Sequence, residues 1–484
     1  MKRSSNISGP DSSIENLSKL ISSKAISPVD LIEYTFQQIH KLNPTLNAFI
    51  TVLEDSARKE AKEAESLIIQ GKYKGPLHGI PVSLKDLIFV KGVRSTSGSK
   101  ILADYVPDHD STVVKKLRAA GAIIVGTNNT HEFACGITNI NPHYGSSKNP
   151  WDINRMSGGS SGGSAVAVSA LMSAASIGTD TSGSIRVPSS LCGLFGLKPT
   201  YGRVSKYGVM QLAPSIDHIG PITRTAWDAA AVLNVIAGYD ELDASSIDSS
   251  VPDYVALITE NKERTTKFKL GIPKEFFFDL IDSKVIDIFE GFVNKLHEVG
   301  ISTNTVNLEE TDKIYDTWRA FRLGESAAVH SEWMKTRREE YGSDVLAMLE
   351  KGLEITAVEY IKAQTTRQIL KSAFLKSMKG LDGLLVPTSG ITAPLLDQKM
   401  VDVNGRSLEV YQVLSRLTTV FDVTGLPVLN VPAGLVDGKL PVGVQLVGRP
   451  FDEGPILSMA YIYEKYHRIA QTMVPPIIKE SGSE

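Results

Sequence analysis

Apolar positions along this chain recur in two rhythms. At Ser27-Pro28-Val29-Asp30 a serine N-cap, a proline at the first helical position and an acid one turn in precede Ile32, Phe36 and Ile39. This spacing predicts an amphipathic helix over about 28–42. A second stretch, about 55–71, is rich in Ala, Glu and Lys and is closed off by Pro76 and Gly79; further helical patterns fall near 111–120 and 357–378. Between them lie short apolar runs at 80–83, 122–125, 269–272, 383–386, 429–431 and 442–447, which read as strands. The alternation predicts an α/β fold, a central mixed β-sheet surrounded by α-helices. There is no internal repeat. The polar, Ser- and Asp-rich stretch 240–264 reads as a surface loop, and 1–26 as an N-terminal extension, part flexible and part helical, that begins as a frayed tail. Similar α/β material on both sides of 240–264 predicts one large domain over 1–484.

Composition narrows the class. With 484 residues, 42% hydrophobic and 22% charged, the chain matches a packed soluble protein and not a fibrous or disordered one. Its formal net charge is -3 with Lys and Arg scattered, so no basic surface for direct nucleic-acid binding is expected. Two cysteines, Cys135 and Cys192, are too few for a disulfide framework and suit the reducing cytoplasm. The basic start MKRSSNISGPDSS has no apolar run behind it and is not a secretory signal. The least polar stretch, Ala165 to Ile177, is broken by serines and falls short of the ~20 residues a membrane span needs.

The densest anomaly is Ser157-Gly158-Gly159-Ser160-Ser161-Gly162-Gly163-Ser164, followed by 165–177 and then Gly178-Thr179-Asp180-Thr181-Ser182-Gly183-Ser184-Ile185-Arg186. We expect two Gly/Ser loops bracketing one buried helix, because Ala165, Val166, Val168, Leu171 and Met172 lie between them. A flexible linker would be flanked by polar sequence instead. Dense glycines let backbone amides approach a ligand closely, and consecutive amides offer fixed donors to negative charge. Phosphate binding is the weaker reading, since neither GxxxxGK[ST] nor GxGxxG with a suitably placed acid occurs. A Ser-His-Asp hydrolase also fits poorly: Ser182-Gly183-Ser184-Ile185-Arg186 is not a GxSxG elbow, and no histidine is placed by sequence to serve it.

Upstream, Gly79-Ile80-Pro81-Val82-Ser83-Leu84-Lys85-Asp86 delivers a lysine at the end of a strand-like run, where α/β proteins place functional groups. Taken together, GIPVSLKDL, GGSSGGSAVAV, DTSGSIRVP and CGLFGLKPTYGRVS, in this order, resemble the amidase signature family across nearly the whole chain. The resemblance implies a Ser-cisSer-Lys triad: Ser184 as nucleophile, Ser160 after a cis peptide as bridge, and Lys85 as base. It implies an oxyanion hole of the backbone amides of Thr181, Ser182, Gly183 and Ser184. Ser182 replaces a glycine common there and would be strained if that position needed a positive φ. Ser161, Asp180 and Arg186 are read as support, the last two as an ion pair that orients the loop.

No metal and no cofactor are expected; His131-Glu132 lacks the second histidine of HExxH, because position 135 is Cys135. His109, His143 and His218 read as loop-packing residues, with Asp217-His218 bordering the pocket. The expected reaction is amide hydrolysis through an acyl-enzyme, in which lysine must come down from about 10.4 to near neutrality, roughly 4 kcal/mol, for burial beside neutral serines to make it a base. Two functions fit: an amidase acting alone on small carboxamides, as a monomer or homodimer, and the glutaminase subunit of a tRNA-dependent amidotransferase with a tRNA-binding partner subunit. His131-Glu132-Phe133-Ala134, Asn141-Pro142-His143-Tyr144 and the stretch Ala213 to His218 resemble the general amidases, and favour the first.

Overall fold

The Ser27 side chain accepts from the Val29 amide at 2.9 Å and, with Pro28 in the first turn, starts helix Pro28–Leu46. Helix Glu54–Ile69 packs on it through Ala57, Ala61, Ala64 and Ile68, one residue per turn, leaving its Glu and Lys outward. Ser111 caps Thr112–Ala119 in the same way, accepting from Val114 at 3.3 Å. The computed structural model describes residues 12–260 and 268–481.

These helices cover a mixed sheet of 11 strands. Its order is Phe49–Val52, Ile123–Asn128, Pro81–Lys85, Ala175–Asp180, His218–Thr223, Phe195–Lys198, Val428–Val436, Leu440–Val447, Gly383–Pro387, Lys269–Pro273 and Ser302–Val306. Pro81–Lys85 runs parallel to both its neighbours, and the central pairings from Ala175–Asp180 to Gly383–Pro387 are antiparallel. The chain is therefore a single large α/β domain with a mixed central sheet flanked by helices. Val82, Leu84, Ile177, Leu197, Ile219 and Leu429 from successive strands join one buried core. Buried on both faces, the strands read as continuous apolar runs.

Two expectations need correction. The stretch 165–177 is not one helix: Gly162–Ser169 is helical, the chain reverses at Leu171 (φ 58), and Ala175–Asp180 is a strand. Every residue of both elements is buried, so no apolar face alternates with a polar one to mark the change of period. Nor is 240–264 loop throughout. Tyr254–Glu260 forms a helix against Ala226–Ile236 and Gly454–His467, with Tyr254 and Ile258 fully buried and the Tyr254 hydroxyl donating to Glu453 Oε2 at 2.8 Å. Residues 261–264 of that stretch, and the frayed start expected at 1–11, lie outside the described residues. Ile14–Ser22 is a helix.

Candidate active site at the ends of two parallel strands

Lys85 is the last residue of its strand, and the pairing of Ser83 with Ser176 and Leu84 with Ile177 carries it to the level of Gly178 on the next, beside Thr179. Its Nζ donates to Ser160 Oγ at 2.6 Å and to Thr179 Oγ1 at 2.8 Å. The side chain is fully buried, and among the described residues no carboxylate touches it. Burial pushes the Lys85 amine down to about 7, against a weaker upward pull from Asp180 and Asp217.

Ser160 follows a cis peptide from Gly159. The Gly159 amide donates to the Ile137 carbonyl at 2.6 Å, and a Cβ at Gly159 would stand 2.7 Å from the Asn139 nitrogen, so only glycine fits. The Ser160 carbonyl accepts from Thr130 Oγ1 at 2.9 Å and from the His131 amide at 3.3 Å. Ser161 joins the loops: its amide donates to the Ser184 carbonyl at 3.2 Å and its hydroxyl to the Thr179 carbonyl at 3.1 Å.

The loop bearing Ser184 is organised by Asp180. One carboxylate accepts from the Gly183 amide at 2.6 Å and the Ile185 amide at 3.1 Å, and forms a two-pronged pair with Arg186, Nε and Nη2 each at 3.0 Å. Arg186 reaches on to Asp422 Oδ2 at 2.6 Å, Gln445 Oε1 at 2.8 Å and the Thr418 carbonyl at 3.0 Å, all in the buried interior. Burial alone would raise the Asp180 carboxyl, but the guanidinium beside it overrides this and holds it well below the usual range. Asp422, with the same burial and Asp180 as a like-charged neighbour, is pushed up.

The strain expected at Ser182 does not arise, because the positive φ falls on Gly183 (φ 111), where a Cβ would meet Thr418 Oγ1 at 2.3 Å. Ser182 is instead held from both sides: Trp318 Nε1 donates to its hydroxyl at 2.8 Å and Thr418 Oγ1 to its carbonyl at 2.6 Å. Among the described residues, the Ser184 hydroxyl makes no hydrogen bond, to Ser160 or to any other group, and the amides of Thr181, Ser182 and Ser184 have no protein acceptor. The Gly183 amide is the exception to the expected set of four, since Asp180 already occupies it. The structure thus assembles a free hydroxyl, three unspent amide donors and a buried amine bonded to a second hydroxyl.

The histidines are engaged elsewhere. His131 Nε2 meets Asp344 at 3.0 Å, His143 Nε2 meets Glu132 at 3.0 Å, and His109 meets Asp108 at 2.7 Å. Burial, with Lys198 nearby, holds His218 neutral behind the Asp180 strand, its Nδ1 2.8 Å from the Ile216 carbonyl. Asp217 accepts from Thr181 Oγ1 at 2.7 Å. Sequence reasoning missed Thr179, Trp318, Thr418 and Asp422. Thr179 had a signal, a hydroxyl one residue before Asp180, whereas the other three lie at least 136 positions from the residues they hold.

The sequence profile of the Amidase family matches residues 30–457. The A subunit of the glutamyl-tRNA(Gln) amidotransferase of Coxiella burnetii is 36% identical over 477 residues, covering 93% of this chain and 96% of the relative. The corresponding protein of Thermotoga maritima has a solved structure that superposes with a TM-score of 0.78 at 33% identity over 94% of each chain. The native peptide amidase of Stenotrophomonas maltophilia superposes with a TM-score of 0.82 at 30% identity, over 94% of this chain and 97% of its own. The chain belongs to the amidase family, the amidase signature enzymes, and is an amide-hydrolysing enzyme. Among the described residues no helix is long and apolar enough to cross a membrane.

Proposed function

We propose that the enzyme cleaves the C–N bond of a carboxamide through an acyl-enzyme on Ser184, with Ser160 as the bridge and Lys85 as the base. The observation that carries this reading is the Lys85 amine, buried among hydroxyls, bonded to Ser160 and brought down to about 7. An amide needs a base to activate the attacking hydroxyl and an acid for the departing nitrogen. As Ser184 Oγ turns toward Ser160 and bonds to the carbonyl carbon, its proton passes to Ser160, whose own proton passes to neutral Lys85. The free amides of Thr181, Ser182 and Ser184 receive the developing oxyanion. The C–N bond breaks as the nitrogen takes a proton back through Ser160. Water activated along the same route then releases the carboxylate and restores Ser184. Ser161 and the Asp180–Arg186 pair keep the loops in register. No step calls for a metal or cofactor.

A second reading is favoured by the 36% identity to the A subunits of amidotransferases: the same chemistry releasing ammonia from glutamine, inside a complex with a tRNA-binding partner. The peptide amidase likeness favours an enzyme complete in one chain. The two buried free cysteines, Cys135 and Cys192, support a cytoplasmic setting for either reading. The deciding experiment is ammonia release by the purified chain alone, from glutamine and from aliphatic and aryl amides. Turnover of simple amides without a partner supports the first reading. Activity confined to glutamine, and only once a tRNA-binding partner is added, supports the second. Activity that survives Ser184→Ala overturns both.

A further inference from the structure

Helix Ile314–Thr336 passes the mouth of the Ser184 loop and lays Trp318 on Ser182. Four residues on, and so on the same face, stands Arg322. It is 2% exposed, and its Nη1 donates to Ser326 Oγ at 2.6 Å. Its other neighbours are the Cys135 thiol, the Tyr411 phenol and His330. All are uncharged: burial pushes the Cys135 thiol up to about 12 and His330 down to about 3, the latter with help from Arg322 itself.

Two other arginines are as deeply buried, and each has an anion. Arg186 has Asp180 and Asp422; Arg203 has Glu453 at 3.5 Å together with the Ser250 and Phe451 carbonyls at 2.7 and 2.9 Å. Among the described residues Arg322 pairs with no carboxylate. Glu132, the acid of the neighbouring segment, is taken by Ser99, His143 and the Gly342 amide, and Asp344 by His131. A guanidinium withdrawn from water without a counter-charge is costly, and it persists where a partner arrives from outside.

The place where a partner would arrive borders the reaction site, because the Cys135 thiol is a near neighbour of both Lys85 and Arg322. Cys135 ends the segment whose His131 amide donates to the Ser160 carbonyl, and Ala134 shares a small cavity with Thr179, Thr181 and Asp217. Tyr411 and Trp318 line a larger hollow of about 660 Å³ with Tyr315 and Thr419.

We propose that Arg322 anchors the acyl part of the substrate, and that this part carries a carboxylate: the substrates are monoamides of short dicarboxylic acids, with or without an α-amino group. The idea rests on the amide-hydrolase reading and specifies its substrate class. Trp318, one turn before Arg322 on the same helix face, already touches the Ser184 loop, so the acyl part that joins the loop to the guanidinium is short. The guanidinium fork holds the carboxylate by two parallel N–H···O bonds, and hydrolysis then gives a dicarboxylate and ammonia.

The test compares kcat/KM of the purified full chain for succinamate and glutaramate with that for their uncharged counterparts butanamide and pentanamide. We expect a preference of about 100-fold for the charged substrates. In Arg322→Met that ratio falls to about one, and Arg322→Lys recovers part of it. Calorimetric titration with succinate is expected to show binding to the wild type and none to Arg322→Met. Equal rates on charged and uncharged amides, or succinate binding untouched by either variant, overturns the proposal. Should Arg322→Met fail to fold, the wild-type ratio and the Arg322→Lys titration still decide. Ser184-dependent turnover of butanamide without succinate binding would sink the anchor and leave the hydrolase standing; Arg322-dependent succinate binding without turnover of any amide does the reverse. Glutamine outpacing glutaramate adds a contact to the α-ammonium, and glutaramate outpacing glutamine leaves the carboxylate alone; both uphold the anchor.

Discussion

Lys85 and Arg186 are both basic side chains with no exposed surface, beside the same pair of loops, and they have opposite surroundings. Lys85 meets two hydroxyls and no carboxylate; Arg186 meets two carboxylates, an amide oxygen and a carbonyl. Hydroxyls solvate a charge weakly, so burial wins and the amine is brought to about 7, where it exchanges a proton. Carboxylates compensate burial, so Arg186 stays charged and its pKa moves up despite it. On the proposed mechanism one buried basic group is a base and the other a brace, and the neighbours decide which.

The difference is sharpest in Lys85→Met. We expect kcat to fall by at least about 1,000-fold with the fold retained, measured by ammonia release and circular dichroism. The same variant should be more stable than the wild type near pH 7. The folded pKa of Lys85 lies below the ordinary 10.5, so between about pH 7 and 10.5 the unfolded chain binds the extra proton and wild-type stability rises with pH. Urea midpoints at pH 7 and 10 check this: the Lys85→Met advantage shrinks on going up. Buried Lys198, also brought down to about 7, adds the same slope to both proteins and cancels in the comparison.

Breaking the brace acts on stability instead. Arg186→Met leaves Asp180 and Asp422 buried without their counter-charge and is expected to cost about 3–5 kcal/mol of unfolding free energy, read from urea denaturation. A loss under about 1 kcal/mol would mean that the pair is not holding the loop. With Lys85 as the base, kcat/KM of the wild type should climb tenfold per pH unit below about 7 and level off above it, as the amine loses its proton. The smallest effect is expected from Thr179→Val, which removes one of the two hydroxyls on Lys85 Nζ. A loss of about tenfold in kcat, with an unchanged urea midpoint, would mark Thr179 as a positioning residue.

Most of the candidate site was legible in the sequence because it is local. Lys85 announces itself at the end of an apolar run, and the glycines around Ser160 and Ser184 mark where backbone must approach its neighbours, as Gly159 and Gly183 do against Asn139 and Thr418. The helix caps at Ser27 and Ser111 were readable for the same reason. What sequence could not give is the long-range half. Trp318, Thr418, Asp422 and Gln445 reach the loop from 136 to 259 positions away, and nothing near them in the chain marks them as its partners. The misreading of 165–177 has another source, since uniform burial erases the periodicity that separates helix from strand.

That long-range half has a consequence for synthesis. Lys85, Ser160 and Ser184 have all been made once the chain passes residue 184, yet the clamp on the Ser184 loop arrives with Thr418, Asp422 and the strand that carries Gln445, in the last fifth of the chain. On the proposed mechanism a polypeptide still emerging from the ribosome would hold all three groups without the clamp that arranges them, so hydrolytic power is expected only when translation is nearly finished. Fragments that stop before residue 418 should be silent for the same reason, however much of the earlier sheet they manage to build.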